Sequence, residues 1–242
     1  MSGHVGIVAN DSARYTSFSM CLTQLATPVN TGILWGIGSD RSVGRNNVVK
    51  AALDEGSEWV FFLDDDQVFQ PDILLRLLAT GQDIVGGLYV QRGAPFYPIA
   101  YTSILEDGSY LPLNLVNHPT SGLVRVVGLG TGGMLIRAEV FHALSEAGYD
   151  GEWFTHTTLK SEDLMFCDRA IAAGFEVYVD LDCKMGHVAP ASVMPAVING
   201  EWHIGWVFNE SAKMHQAVGE VAVPSPIVGA KGLDLEGVRN AT

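Results

Sequence analysis

Asp64, Asp65 and Asp66 stand side by side in WVFFLDDDQVFQPDILLRLL, Trp59–Leu78. Three adjacent carboxylates repel one another, which costs folding energy unless a cation sits on them or water surrounds them. Hard divalent cations take oxygen ligands, and Mg2+ or Mn2+ is commonly held by one or two carboxylates plus substrate phosphates. The cluster therefore points to a metal site that meets a phosphate-bearing ligand, against the plainer reading of a solvated turn. An apolar run followed by Asp also marks P-loop enzymes, but those need G-x-x-x-x-G-K-[ST] upstream. No Gly-Lys pair precedes Asp64, so that reading is discarded.

Other segments carry residues of chemical interest. KSEDLMF puts Glu162 and Asp163 in the first turn of an expected helix. Carboxylates there favour the helix dipole. A carboxylate at a helix start facing a cleft is also a well-placed general base. GLGTGG, residues 128–133, formally matches G-x-G-x-x-G. A dinucleotide fold would place that motif after its first strand with an acidic residue about 20 positions on. Here it lies mid-chain before the strand-like MLIR, so the nicotinamide or flavin reading is set aside. It reads as a flexible loop, or as bare backbone that an acceptor or sugar can approach closely. Arg45 and Asn46 open a helix in SVGRNNVV. They read either as an exposed helix surface or as groups directed at a nucleotide diphosphate, with Arg41 a weaker candidate for that role. Trp153, Phe154 and Trp202 read either as a sugar platform or as core. His187 in KMGHV follows a strand, and a lone His is more often structural than a ligand. H-x-x-x-H, H-E-x-x-H and G-x-S-x-G are absent.

The elements that must position these groups alternate. HVGIVAN, TGILWGI, EWVFFL and DIVGGLYV read as buried strands. Between them YTSFSMCLTQLA, RSVGRNNVVKAALDEG and QPDILLRLLATG read as helices. Gly56 and Gly81 are left-handed stops, and Pro71 and Asp72 lie in the first turn of the third helix. Strands alternating with helices predict a mostly parallel sheet covered on both faces. Ligands of such sheets bind beyond the carboxyl ends of the strands, where the aspartates stand. Residues 95–127 predict short antiparallel strands and loops. LVRVV and MLIR predict further strands and 138–147 a helix. SEDLMFCDRAIAAG predicts another, with Ser161 as N-cap and Gly174 as stop. FEVYVDL is a late strand, and CKMGHVAP the loop after it.

The 242 residues are 48% hydrophobic and 17% charged, a globular composition. Their formal net charge of −13 argues against nucleic acid, whose phosphates need Lys and Arg. Cys21, Cys167 and Cys183 form neither a zinc pattern nor a disulfide framework, so a reducing cytoplasm is expected. The N-terminus does not read as a signal peptide, and no segment reads as a membrane span.

In order, the alternating start, the RNN helix, FFLDDD, the glycine loop, ED at a helix start and the late GH resemble a GT-A-type glycosyltransferase, similar to the family 2 group. The resemblance covers about residues 4–190. It implies an α/β, GT-A (Rossmann-like) fold with a smaller antiparallel element in the acceptor half. It implies a single catalytic domain over 1–190, with the nucleotide-sugar half at about 1–95 and the acceptor half at about 96–190. An extension follows over 191–242, with a loose tail from about 221. DDD matches the D-x-D motif, so the resemblance gives Asp64 and Asp65 to the nucleotide sugar and Asp66, with His187, to Mn2+ or Mg2+. It makes Asp163 the catalytic base and Glu162 its neighbour, Gly130, Gly132 and Gly133 the acceptor loop, and Asn10 (with Asp11) the place of the nucleobase. Arg45 adds charge on the diphosphate. The implied activity is inverting transfer from a nucleotide diphosphate sugar to an acceptor hydroxyl. A retaining transferase, a sugar nucleotidyltransferase and an inactive nucleotide-sugar-binding module stay open as alternatives.

Overall fold

The computed structural model describes residues 2–9, 15–38, 40–93, 96–116, 119–189, 191–198 and 201–208. They divide between two compact units, Met1–Ala189 and Pro190–Thr242. In the second, β13 (Ala191–Ile198) and β14 (Glu201–Phe208) pair as an antiparallel hairpin. The expected loose tail from about 221 lies outside the described residues, as do the side chain of Trp202 and Asn10 and Asp11.

The first unit begins β1 (Gly3–Ala9), α1 (Thr16–Gln24), β2 (Thr31–Ile37), α2 (Arg41–Asp54) and β3 (Trp59–Asp64). Then come β4 (Gln67–Val68), α3 (Ile73–Ala79), β5 (Ile84–Leu88), β6 (Ala100–Ile104) and β7 (Tyr110–Pro112). It continues with β8 (Leu123–Val126), β9 (Gly128–Leu129), β10 (Met134–Arg137) and α4 (Ala138–Leu144). A π turn (Ser145–Tyr149), α5 (Glu162–Ala172), β11 (Val177–Lys184) and β12 (Gly186–His187) complete it. The main sheet runs β2-β1-β3-β10-β5-β11-β8. Five of these seven strands share one direction, and β10 and β8 oppose it. A second, antiparallel sheet of order β7-β6-β9 comes from the middle of the chain.

Alternation along β3 explains the layers. Val60 and Phe62 face a core shared with α2, α4 and α5, while Trp59, Phe61 and Leu63 face one shared with α1 and α3. A strand buried on both faces reads as a continuous apolar run, which WVFFL is. Trp153 and Phe154 belong to the first core rather than to a sugar platform. Phe154 stacks on Phe166 at 4.6 Å, and Trp153 Nε1 donates to the Phe141 carbonyl at 3.0 Å. Among the described residues no helix is long and apolar enough to cross a membrane.

Two expected boundaries move. The helix expected from Gln70 starts at Ile73, because Gln67–Val68 pair with β12 as a strand and the Pro71 carbonyl accepts the Ala26 N–H at 2.7 Å. The expected loop CKMGHVAP is largely strand: β11 runs on to Lys184 and β12 follows at once. The expected stops hold, with Gly56, Gly81 and Gly174 all at positive φ.

α2 carries Arg45 to the sheet's carboxyl edge, and its start is fixed by Asp40, whose side chain accepts from the N–H groups of Ser42 (2.8 Å) and Val43 (3.3 Å). Losing such a cap costs about 1 kcal/mol. Asp40→Ala is therefore expected to lower the unfolding temperature by about 2–4 °C, measured by calorimetry.

Candidate active site

The carboxyl ends of β1 and β3 lie level, Val8 paired with Asp64. Beyond them opens a cleft of about 560 Å3. Asp64, Asp65, Asp66, Arg45, Glu162, Asp163 and His187 all line it, although 123 residues separate Asp64 from His187 in sequence. Arg41 lines it too, as does Thr131 of the glycine loop, and so do Tyr15, Tyr89 and Arg92, which no sequence motif singles out.

Arg45 is 2% exposed. Its Nη2 lies 3.1 Å from Asp64 Oδ1 and its Nε 3.5 Å from Glu162 Oε1. Burial works against its charge, but Asp64, Glu162 and Asp163 outweigh burial and hold the guanidinium protonated more firmly than usual. Arg45 thus ties the aspartate turn to the start of α5. Its Nη1 is buried with no hydrogen-bond partner among the described residues. Asn46 turns away from the cleft to clamp Phe154, donating from Nδ2 to the Phe154 carbonyl (2.8 Å) and accepting the Phe154 N–H at Oδ1 (2.9 Å).

Asp66 and His187 are brought together by the β4–β12 ladder, which pairs His187 with Gln67 and lets Val188 N–H donate to the Asp66 carbonyl at 2.7 Å. His187 Nε2 lies 3.3 Å from Asp66 Oδ2. Its Nδ1 lies 3.0 Å from the Val90 carbonyl. A carbonyl oxygen only accepts, so Nδ1 carries the proton of that bond. Nε2 then faces the carboxylate either as the second N–H of an imidazolium or as the lone pair of a neutral ring. A ring fixed in this way is the usual arrangement of a metal-binding histidine. Burial pushes the Asp66 carboxyl up, but His187 and Arg92 outweigh it and hold it below the usual range. Asp66 Oδ1 is buried with no hydrogen-bond partner among the described residues. Those residues contain no preformed cluster of three metal-ligating side chains. The donor set is thus one carboxylate and one imidazole, which suits Mn2+ or Mg2+ only if phosphate and water complete the shell.

Ser161 stands at the N-cap position of α5 with extended backbone, yet its hydroxyl donates to Asp163 Oδ1 rather than capping the helix. The Leu164 N–H donates to the same oxygen at 2.8 Å. Oδ2 has no hydrogen-bond partner among the described residues and is left for a ligand. Desolvation raises the Asp163 pKa, assisted by Glu162 and opposed by Ser161 and Arg45. Tyr101, half-buried on β6, has its own pKa raised by burial and by Asp163, and meets Tyr110 edge to face at 5.6 Å.

The glycine loop is not flexible. Residues 128–133 are all buried, and the Gly133 N–H donates to the Phe62 carbonyl at 2.7 Å. A Cβ at Gly130 would strike the Tyr89 hydroxyl and one at Gly133 the Met185 sulfur. At Gly132 it would strike Gln67 and come within 2.7 Å of Asp64 Oδ2. The space these glycines leave is filled by the protein itself. Gln67 locks the contact, donating from Nε2 to the Gly132 carbonyl (2.9 Å) and accepting the Asp64 N–H at Oε1 (3.2 Å). What the loop offers the cleft is Thr131, 1% exposed, whose hydroxyl has no partner among the described residues.

No family profile matches the sequence, and no curated protein sequence matches it. Solved structures do. GalNAc-T7, crystallised with UDP, GalNAc and Mn2+, is 10% identical and matches with a TM-score of 0.52 over 78% of this chain and 44% of that one. TarS 1–349 from S. aureus is 15% identical, with a TM-score of 0.47 over 78% of this chain and 61% of that one. The A197 protein from STIV is 16% identical, with a TM-score of 0.47 over 79% of this chain and 98% of that one. The fold is that of the GT-A glycosyltransferases. The likeness defines this class of fold and not a family within it.

A carboxyl whose pKa is raised on folding is destabilised by ionisation, so its charge costs stability above the folded pKa and the cost vanishes as pH falls through it. Asp163→Asn removes that cost and keeps an acceptor oxygen for Ser161 and Leu164. The variant is expected to unfold at a higher temperature than the wild type at pH 7, the difference shrinking as pH falls through the raised Asp163 value and gone by about pH 4. Melting curves over this range check it.

Proposed function

We propose that this chain is a metal-dependent glycosyltransferase that moves a sugar from a nucleoside diphosphate sugar to an acceptor hydroxyl with inversion. One observation carries the reading. A single cleft at the carboxyl edge of a GT-A sheet holds both the Asp66–His187 pair and a carboxylate, Asp163, whose hydrogen bonds among the described residues engage only one of its oxygens. The UDP, GalNAc and Mn2+ bound by GalNAc-T7 suit the same division of labour. Met1–Ala189 is the catalytic unit on this reading, and the three free cysteines suit a cytoplasmic setting.

Asp66 and His187 would hold Mn2+ or Mg2+. When bound, the ion supplies Lewis-acid neutralisation of the diphosphate leaving group. Asp64 and Asp65 face the nucleotide sugar, and Asn10 remains the sequence's candidate for the nucleobase. Arg45 contributes by fixing Asp64, and its Nη1, without a partner among the described residues, is available to the donor. Asp163 Oδ2 accepts the proton of the acceptor hydroxyl as that oxygen bonds to the anomeric carbon and the bond to the diphosphate breaks. A base on the face opposite the leaving group inverts the anomeric centre. Burial raises the pKa of Asp163, which moves it toward the range where a general base works best.

UDP, GDP and their sugars, screened by thermal shift with Mn2+ or EDTA, are expected to yield a ligand that raises the melting temperature only with metal. Asp66→Ala should abolish the metal-dependent increment. Asp163→Asn should keep it while losing at least ~10²-fold in turnover. Normal turnover in both variants would defeat the proposal, and the anomeric configuration of the product tests inversion.

A further inference from the structure

Two arginines meet the aspartate turn in opposite ways. Arg45 is held by two carboxylates and its side chain is 3% exposed. Arg92 has a side chain 34% exposed and makes one ion pair, Nη1 to Asp66 Oδ2 at 2.9 Å. That oxygen is the one His187 Nε2 approaches at 3.3 Å. Arg92 therefore stands where a cation bound by Asp66 and His187 would stand. The backbone before it is fixed: the Gln91 N–H donates to the Tyr97 carbonyl at 2.9 Å, and the Val90 carbonyl accepts from His187 Nδ1. The long side chain is what is free to move.

We infer that Arg92 is a displaceable counter-ion that guards the metal site: it neutralises Asp66 until a nucleoside diphosphate arrives, then passes to the diphosphate as the metal takes its place. This rests on the metal reading above. Five carboxylates line the cleft (Asp64, Asp65, Asp66, Glu162 and Asp163) against three guanidiniums (Arg41, Arg45 and Arg92). A divalent ion entering alone must break the ion pair between Arg92 and Asp66 and leaves Arg92 without that partner. A diphosphate entering alone meets the excess of carboxylates. Entering together, each removes the obstacle to the other, because the diphosphate gives Arg92 a new anionic partner. Ion and nucleotide then bind with positive coupling, and part of that coupling belongs to Arg92.

The test is Mn2+ affinity of the full chain, titrated by electron paramagnetic resonance with and without UDP or GDP. Arg92→Ala is expected to tighten nucleotide-free Mn2+ binding by roughly fivefold, the scale of a partly exposed ion pair. It should also shrink the gain in Mn2+ affinity that nucleotide confers by a similar factor, while Arg92→Lys stays near the wild type. Unchanged or weaker nucleotide-free Mn2+ binding in Arg92→Ala overturns the inference. Asp66→Ala separates the two levels. If it abolishes Mn2+ binding while Arg92→Ala changes nothing, only the role of Arg92 fails. If Mn2+ does not bind the wild type, or binds Asp66→Ala equally well, the metal reading fails and this inference with it.

Discussion

A buried guanidinium between two carboxylates, Arg45 between Asp64 and Glu162, is the interaction on which the site depends. Asp64 ends β3 and Glu162 begins α5, and no backbone ladder connects the two. Without the bridge their like charges would push these two walls of the cleft apart. Desolvating three charges is expensive, and removing one partner from such a set costs about 3–5 kcal/mol because the others stay behind unpaired. The asymmetry is what makes the arrangement rigid. A site that brings reactants together gains from walls that do not need to reorganise.

Backbone pairing supplies what charge cannot. The two-residue ladder of β4 and β12 fixes His187 beside Asp66, and Gln67 at its root bonds both Asp64 and the glycine loop. Glycines at 130, 132 and 133 let that loop press against Tyr89, Gln67 and Met185, which leaves Thr131 facing the cleft. The loop is as much a part of the packed interior as of the site.

The order of strands and helices was legible because β1, β2, β3 and β5 are short apolar runs separated by helices, two of which, α2 and α3, are followed by glycines at positive φ. The place of the aspartates at the sheet's carboxyl edge was legible for the same reason, since they stand at the end of such a run. The parts that were not legible depend on contacts distant in sequence. β10 reads as a strand, but nothing in MLIR says that it runs antiparallel between β3 and β5. Arg45 carries the same charge whether it points to solvent or into a protein interior, and only the placement of α5 decides. Asn46 read equally as exposed surface or as a nucleotide contact, yet it clamps the Phe154 backbone, and of the two readings of Trp153 and Phe154 only the core one fits. Arg92 belongs to no motif, and within GLGTGG nothing marks Thr131 rather than the glycines as the residue that lines the cleft.

The position of β10 has a consequence for how the chain is made. β3 ends at residue 64 and β5 at 88, but the strand that joins them spans 134–137. Translation at about 5–20 residues per second leaves an interval of seconds in which both strands have been synthesised and neither has its shared neighbour. Through that interval two apolar edges with unsatisfied amides are open to pairing with other chains. Slow passage through residues 89–133 on the ribosome would lengthen the exposure, so the yield of folded protein should respond to codon speed in that stretch.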